Sequence, residues 1–228
     1  MSKTIKAVIF DFDGTLVNSV EAYMQLFLEL GERFGNRPIT KDDFLILNGM
    51  AVQDALKLLV KEKLFKFRVI PYVIWNLRKF KRRIVEETAP YPHVHETLTL
   101  LKEQYKVALV TSNQRKHVDW LCSKYSLASY FLHSITEDDV KEHKPDPQPF
   151  LKMAELLSLA PEECLVIEDS PFGVLAAHRA GMHTCVVEHT TPQKYFKEEK
   201  NSKPHQFIKN ISLLDTQFIK KHFPNPHT

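Results

Sequence analysis

Asp11 and Asp13 stand two residues apart in KAVIFDFDGTLVNS, Lys6 to Ser19, directly after the apolar run Ala7 to Phe10. A carboxylate is costly to desolvate unless a cation or hydrogen-bond donors meet it, so two at the end of a buried run point to chemistry rather than stability. Asp11 is placed to attack a phosphoryl group and form an aspartyl-phosphate. Asp13, two residues on, reaches the leaving-group oxygen and suits a general acid, then a general base. Glu168 and Asp169 complete an oxygen-ligand site for Mg²⁺, an ion that uses few carboxylates and keeps several waters. Such an ion offsets the repulsion between a carboxylate nucleophile and an anionic phosphate. Lys144, in KEHKPDPQPF, offers a second positive charge. Thr111 supplies a hydroxyl, and the amides of Ser112 and Asn113 at the next helix start suit an anion.

The acids and Thr111-Ser112-Asn113 follow apolar runs, and Lys144 lies between two of them. Ile5–Phe10, Val107–Val110, Cys164–Ile167 and His183–Val187 are rich in Val and Ile without polar alternation, the pattern of strands covered on both faces. Phe131–Ile135 is a further strand candidate, interrupted by His133 and Ser134. Helical spacing falls at Val94–Glu103, Arg115–Lys124, Gln148–Leu157 and Pro171–Ala180. Strands alternating with helices predict an α/β doubly wound parallel sheet, with ligands at the carboxyl ends of its strands. The rhythm breaks between Val17 and Thr88, where apolar residues keep helical spacing throughout. We therefore expect a core of residues 1–16 and 89–228, with residues 17–88 inserted as a helical cap. The tail Pro224–Thr228 is expected to fray.

The chain has 228 residues, 43% hydrophobic and 26% charged, with a net charge of +3. That is the composition of an ordinary globular protein, too weakly basic to predict a nucleic-acid partner. No run approaches membrane-spanning length, and the apolar stretch before Asp11 is too short for a signal-peptide core. No membrane partner is expected on these grounds. Three cysteines without a CxxC suit a reducing compartment, so a cytoplasmic location is expected.

Simpler readings compete with the chemical one. A plain turn explains Asp and Gly, but not two acids directly after a buried run. A calcium loop counted from Asp11 needs Gly at position six and Glu at twelve, where Leu16 and Ala22 stand. Thr111-Ser112-Asn113 reads equally as a helix cap, and Ser170-Pro171 is first a cap and first-turn pair. The histidines of PHVH, His93 and His95, read as a helix start. The basic run Arg78–Arg83 reads as a solvated face, with anion steering or partner contact as the other reading.

DFDGT at Asp11–Thr15, Thr111, the Lys144 of KPDP and EDS at Glu168–Ser170 occur in an order that resembles the haloacid dehalogenase-like superfamily of phosphohydrolases. Within it the chain is similar to the subgroup with a helical cap after the first motif, which includes phosphoglycolate phosphatases and β-phosphoglucomutases. The resemblance implies a Rossmann-like core, Mg²⁺, Asp11 as nucleophile, Asp13 as acid/base and Lys144 bracing the phosphate. It also implies that the main-chain carbonyl of Asp13 joins Asp11 and Asp169 on the metal. Asn48, Gly49 and Met50, in LNGMAVQDAL, resemble the family's specificity loop. Asn18 stands where many relatives carry an acid, and Asp13 argues against carbon–halogen cleavage. The function expected is Mg²⁺-dependent hydrolysis of a small phosphomonoester. A sugar phosphomutase and a binding protein on the same scaffold are the alternatives, and phosphonate cleavage through Lys57, Lys61 or Lys63 stays open.

Overall fold

A computed structural model describes residues 4–196 and 203–224. Strand β1 (Ala7–Phe10) leads into helices α1 (Ser19–Phe34), α2 (Lys41–Leu47), α3 (Val52–Lys61) and α4 (Val69–Glu87). Helix α5 (Val94–Lys102), β2 (Lys106–Val110), α6 (Arg115–Lys124), β3 (Ser134–Ile135) and α7 (Gln148–Leu157) follow. Then come β4 (Cys164–Glu168), α8 (Pro171–Arg179), β5 (His183–Val187), β6 (Gln206–Ile208) and α9 (Thr216–His222).

The sheet order is β3-β2-β1-β4-β5-β6, and every pairing is parallel. The apolar runs that predicted strands are buried because both faces are covered. Val8, Phe10, Leu165 and Ile167 pack into one cluster with α5, α6 and α9, whereas Ala7, Ile9, Cys164 and Val166 pack into another with α7 and α8. Alternation survives as a choice between two apolar layers rather than between core and water.

Three differences from the sequence reading have physical causes. The first strand begins at Ala7 rather than Ile5, and β3 keeps only two of the five expected residues. The approach to β3 is a turn of 3₁₀ helix at Ala128–Tyr130 instead. The edge strand β6 and helix α9 were not anticipated: β6 is three residues long, and a short edge strand carries little periodic signal. Of the tail expected to fray, residues 225–228 lie outside the described residues.

The helices between β1 and α5 form a separate apolar cluster around Phe27, Leu30, Leu47, Leu59, Phe65, Val69, Val73 and Phe80. The Phe27 ring lies 5.6 Å from that of Phe44 and 5.5 Å from that of Phe65. Pro71 sits in the first turn of α4, where no helical partner for its missing N–H is needed. Two chain crossings join these helices to the sheet. The Asn18 amide nitrogen donates to the Ala89 carbonyl (2.9 Å), and the Ala89 N–H donates to Asn18 Oδ1 (2.7 Å). Tyr91 N–H donates to the Leu16 carbonyl (2.9 Å). Among the described residues no helix is long and apolar enough to cross a membrane.

Candidate active site

The carboxyl ends of β1, β2 and β4 bring the acids and the lysine together. Asp11 is the first residue past β1, and its N–H donates to the Ile167 carbonyl (2.9 Å), which ties it to β4. Lys144 is buried and spends its three N–H bonds on Asp11 Oδ1 (2.6 Å), Glu168 Oε1 (2.6 Å) and the Val110 carbonyl (3.1 Å). Burial opposes its charge, but the Asp11 and Glu168 carboxylates outweigh that and hold the ammonium above the usual lysine range. The Lys144–Pro145 peptide is cis.

Glu168 closes β4 fully buried. Its Oε2 accepts from the Asp169 N–H (3.0 Å), the Ser170 N–H (3.1 Å) and Ser170 Oγ (2.8 Å), while Oε1 faces Lys144. Ser170 also accepts from the Gly173 N–H (3.1 Å), so it caps α8 as its sequence context predicted. Asp169 Oδ2 accepts from Asn48 Nδ2 (2.9 Å) and from Thr190 Oγ1.

Oxygen atoms of Asp11, Glu168 and Asp169 lie within 4.8 Å of one another, all buried. Burial and the neighbouring charges of Glu168 and Asp169 raise Asp11 well above the ordinary carboxylate range, against Lys144. Burial, then Glu168, pushes Asp169 up to about 7, against the hydrogen bonds from Thr190 and Asn48. One lysine does not balance this many acids. An all-oxygen donor set with unbalanced negative charge fits a hard divalent cation such as Mg²⁺.

Asp13 lines a small cavity with residues of α1, α4 and α6. Its Oδ1 accepts from Ser19 Oγ at the start of α1; its Oδ2 accepts from Asn113 Nδ2 (3.0 Å) and Thr111 Oγ1 (3.4 Å). Burial raises Asp13 above the usual value, against the hydrogen bonds from Ser19 and Asn113. Tyr23, Ile84, His117 and Leu121 line the same cavity. His117 Nδ1 lies 3.2 Å from Asn113 Oδ1, which also accepts from the Gln114 N–H (2.8 Å), so the amide is turned with its NH₂ towards Asp13.

Gly14 occupies the turn directly after Asp13 at φ 81°. A Cβ there would lie 2.2 Å from Asp169 Oδ2, so no other residue fits.

The residues expected to bind substrate separate into groups. Asn48 reaches Asp169 and also donates to Thr191 Oγ1 (3.2 Å), and the Gly49 carbonyl accepts from Ser112 Oγ (3.0 Å). Met50 packs instead against the apolar cluster of the insertion. The Asn113 N–H, expected to face an anion, donates to Thr111 Oγ1 (3.1 Å), and α6 starts two residues later at Arg115. His93 takes a left-handed conformation as the residue before α5, in keeping with a helix start.

Ser19, Thr190, Thr191, Tyr23 and His117 are contacts that sequence reasoning missed. Thr190 and Thr191 had a usable signal: they follow β5 on the same carboxyl-end rim as the acids. Ser19, Tyr23 and His117 lie on α1 and α6 and read as ordinary helix residues.

Residues 8–187 match the family description "haloacid dehalogenase-like hydrolase". The chain is 32% identical over 199 residues to a protein of Bacillus cereus named pyrophosphatase PpaX, covering 85% of this chain and 88% of that one. A solved structure from Haemophilus somnus, described as a predicted phosphoglycolate phosphatase, is 25% identical with a TM-score of 0.72, covering 91% of this chain and 95% of its own. An Entamoeba histolytica hydrolase of family IA shares the fold at TM-score 0.77 and 20% identity, covering 97% of this chain and all of that one.

Proposed function

The chain belongs to the haloacid dehalogenase-like hydrolases and is a phosphohydrolase of that family, and from that premise we propose that it hydrolyses a small phosphomonoester through an aspartyl-phosphate at Asp11, with Mg²⁺ as cofactor. The observation that carries this reading is the pairing of Asp11, which accepts from the buried Lys144 ammonium, with Asp13, held two residues on by Ser19, Thr111 and Asn113. One acid is set for phosphorus and the other for the leaving group.

In the first half-reaction the Asp11 carboxylate forms a bond to phosphorus as the bond to the leaving oxygen breaks. Asp13 delivers its proton to that oxygen, a role suited by the burial that keeps it easier to protonate than a free carboxylate. In the second, Asp13 takes a proton from water, whose oxygen displaces Asp11 and frees phosphate. Lys144 holds Asp11 in place and offsets negative charge throughout. Asp11, Asp169 and the main-chain carbonyl of Asp13, with Glu168 in the same cluster, would hold Mg²⁺, which supplies charge neutralisation between nucleophile and phosphate when bound.

Residues 17–88 act in this reading as a cap over the site. Its loop latches through Asn48 to Asp169 and through Gly49 to Ser112, and it must release to admit substrate. The identity to a pyrophosphatase also puts inorganic pyrophosphate among the substrates to be tested. Cys122, Cys164 and Cys185 are buried free thiols, which supports a reducing compartment such as the cytoplasm.

The test is phosphate release from a panel of sugar phosphates, phosphoglycolate, nucleoside monophosphates and pyrophosphate. Turnover of one compact ester that vanishes with EDTA and in Asp11→Asn is expected. Turnover that survives Asp11→Asn would sink the aspartyl-phosphate, and isomerisation without net phosphate release would make the protein a mutase.

A further inference from the structure

Residues 61–83 carry nine basic side chains and one acidic, a net +8 in a chain whose total is +3, so the remaining 205 residues carry −5. The basic run at the end of α4 is partly spent on neighbours. Arg82 pairs with Glu86 (2.7 Å), and Arg83 pairs with Glu29 (2.6 Å) and Glu87 (3.2 Å). Lys63, Lys66, Arg68 and Lys79 are exposed, and among the described residues no carboxylate lies within ion-pair range of them. The same stretch of chain carries three of the most exposed large apolar side chains described: Trp75 at 89%, Phe67 at 72% and Ile74 at 66%. Phe67 directly precedes the helical turn that opens α4, and Ile74 and Trp75 follow on the outward face, opposite the Val69–Val73–Phe80 stripe buried in the cap cluster.

We propose that the α3–α4 connection together with this outward face of α4 docks on a bilayer rich in anionic lipid. Apolar side chains at the tip would enter the headgroup boundary while the lysines and the arginine meet lipid phosphates and carboxylates. Both halves of the patch are then used. A nucleic acid would also attract the charge and could stack on Trp75 and Phe67, but the aliphatic Ile74 has no place on a base. No span is implied. No membrane partner was expected because no apolar run approaches membrane-spanning length, a criterion blind to surface docking; the patch becomes visible only when exposure is assigned residue by residue.

The face lies on the cap, and the catalytic groups are not part of it. The experiment uses the full chain carrying Trp120→Phe, so that Trp75 is the sole tryptophan. It is titrated with vesicles of phosphatidylcholine containing about one-third phosphatidylserine, and with phosphatidylcholine alone. A blue-shifted Trp75 emission and co-sedimentation at least about tenfold stronger with the anionic vesicles, lost in high salt, are expected. Phe67→Ser with Ile74→Ser should weaken sedimentation by about tenfold or more, and Lys63→Glu with Lys66→Glu and Arg68→Glu should abolish it. Circular dichroism and turnover of p-nitrophenyl phosphate in solution check that the variants are folded. No preference for anionic vesicles overturns the proposal. So does binding to a single-stranded oligonucleotide in place of vesicles, or a dimer that hides Trp75 and ignores lipid.

Discussion

The division of labour proposed for Asp11 and Asp13 rests on what each touches. Asp11 meets a buried ammonium, and Asp13 meets a hydroxyl and an amide. Removing the proton donor should therefore matter most where the leaving group is poor. Asp13→Asn is expected to lower kcat by about 10²–10⁴-fold on an alkyl phosphate and by clearly less on p-nitrophenyl phosphate, whose phenolate leaves without a proton. Steady-state kinetics on the two esters would check it; equal losses would deny Asp13 the acid role. Much at this scale was legible in the sequence, because Asp11, Asp13, Glu168 and Asp169 each stand at or near a strand end and Lys144 lies in the loop between two of the strands. What was not legible is which oxygen faces which donor. Nothing in EDS says that Glu168 turns one oxygen to Lys144 and the other to the Asp169 and Ser170 amides, since that depends on how α8 leaves β4.

At the scale of elements, the loop from α2 to α3 is the piece whose backbone decides access. Gly49 sits at φ 91°, where a Cβ would come within 2.2 Å of Ser170 Oγ. Gly49→Ala should push the loop off the core, raise KM for the phosphate ester several-fold and lower the urea midpoint, because an alanine at positive φ is strained in the folded loop. The helices of the insertion were readable from spacing because each keeps one apolar stripe against its neighbours. Helix α2 was not separated from its surroundings, since seven residues give only two turns of pattern. Its start rests instead on the Thr40–Asp43 capping box, a signature of two residues that also holds Arg37 through Asp43 at 2.6 Å. The strands of the doubly wound sheet were readable for the opposite reason: burial on both faces leaves no polar alternation to confuse them.

For the molecule as a whole, pH acts on stability from two places with opposite sign. Burial, with His178 and His183 nearby, lowers His205 to about 4. The unfolded chain therefore binds that proton more readily, and the stability His205 contributes is complete above about pH 6.5 and lost as pH falls towards 4. Asp169, raised to about 7, favours the fold as the pH falls through that value when no cation is bound. Urea midpoints at pH 7.5 and pH 5 should accordingly shift less unfavourably in His205→Gln than in the parent chain; an identical shift would remove His205 from the account. A different consequence follows from the clasp at the base of the insertion. Asp13 precedes the crossing by only a few residues, the Gly14 N–H donates to the Val17 carbonyl (2.8 Å), and Ser19 at the root of α1 grips the Asp13 carboxylate. The pivot and the proton donor are thus one piece of chain. On the proposed mechanism, swinging the lid outward would drag the donor out of line, so a molecule caught ajar, with bulk solvent at the nucleophile, would be disarmed at the same instant.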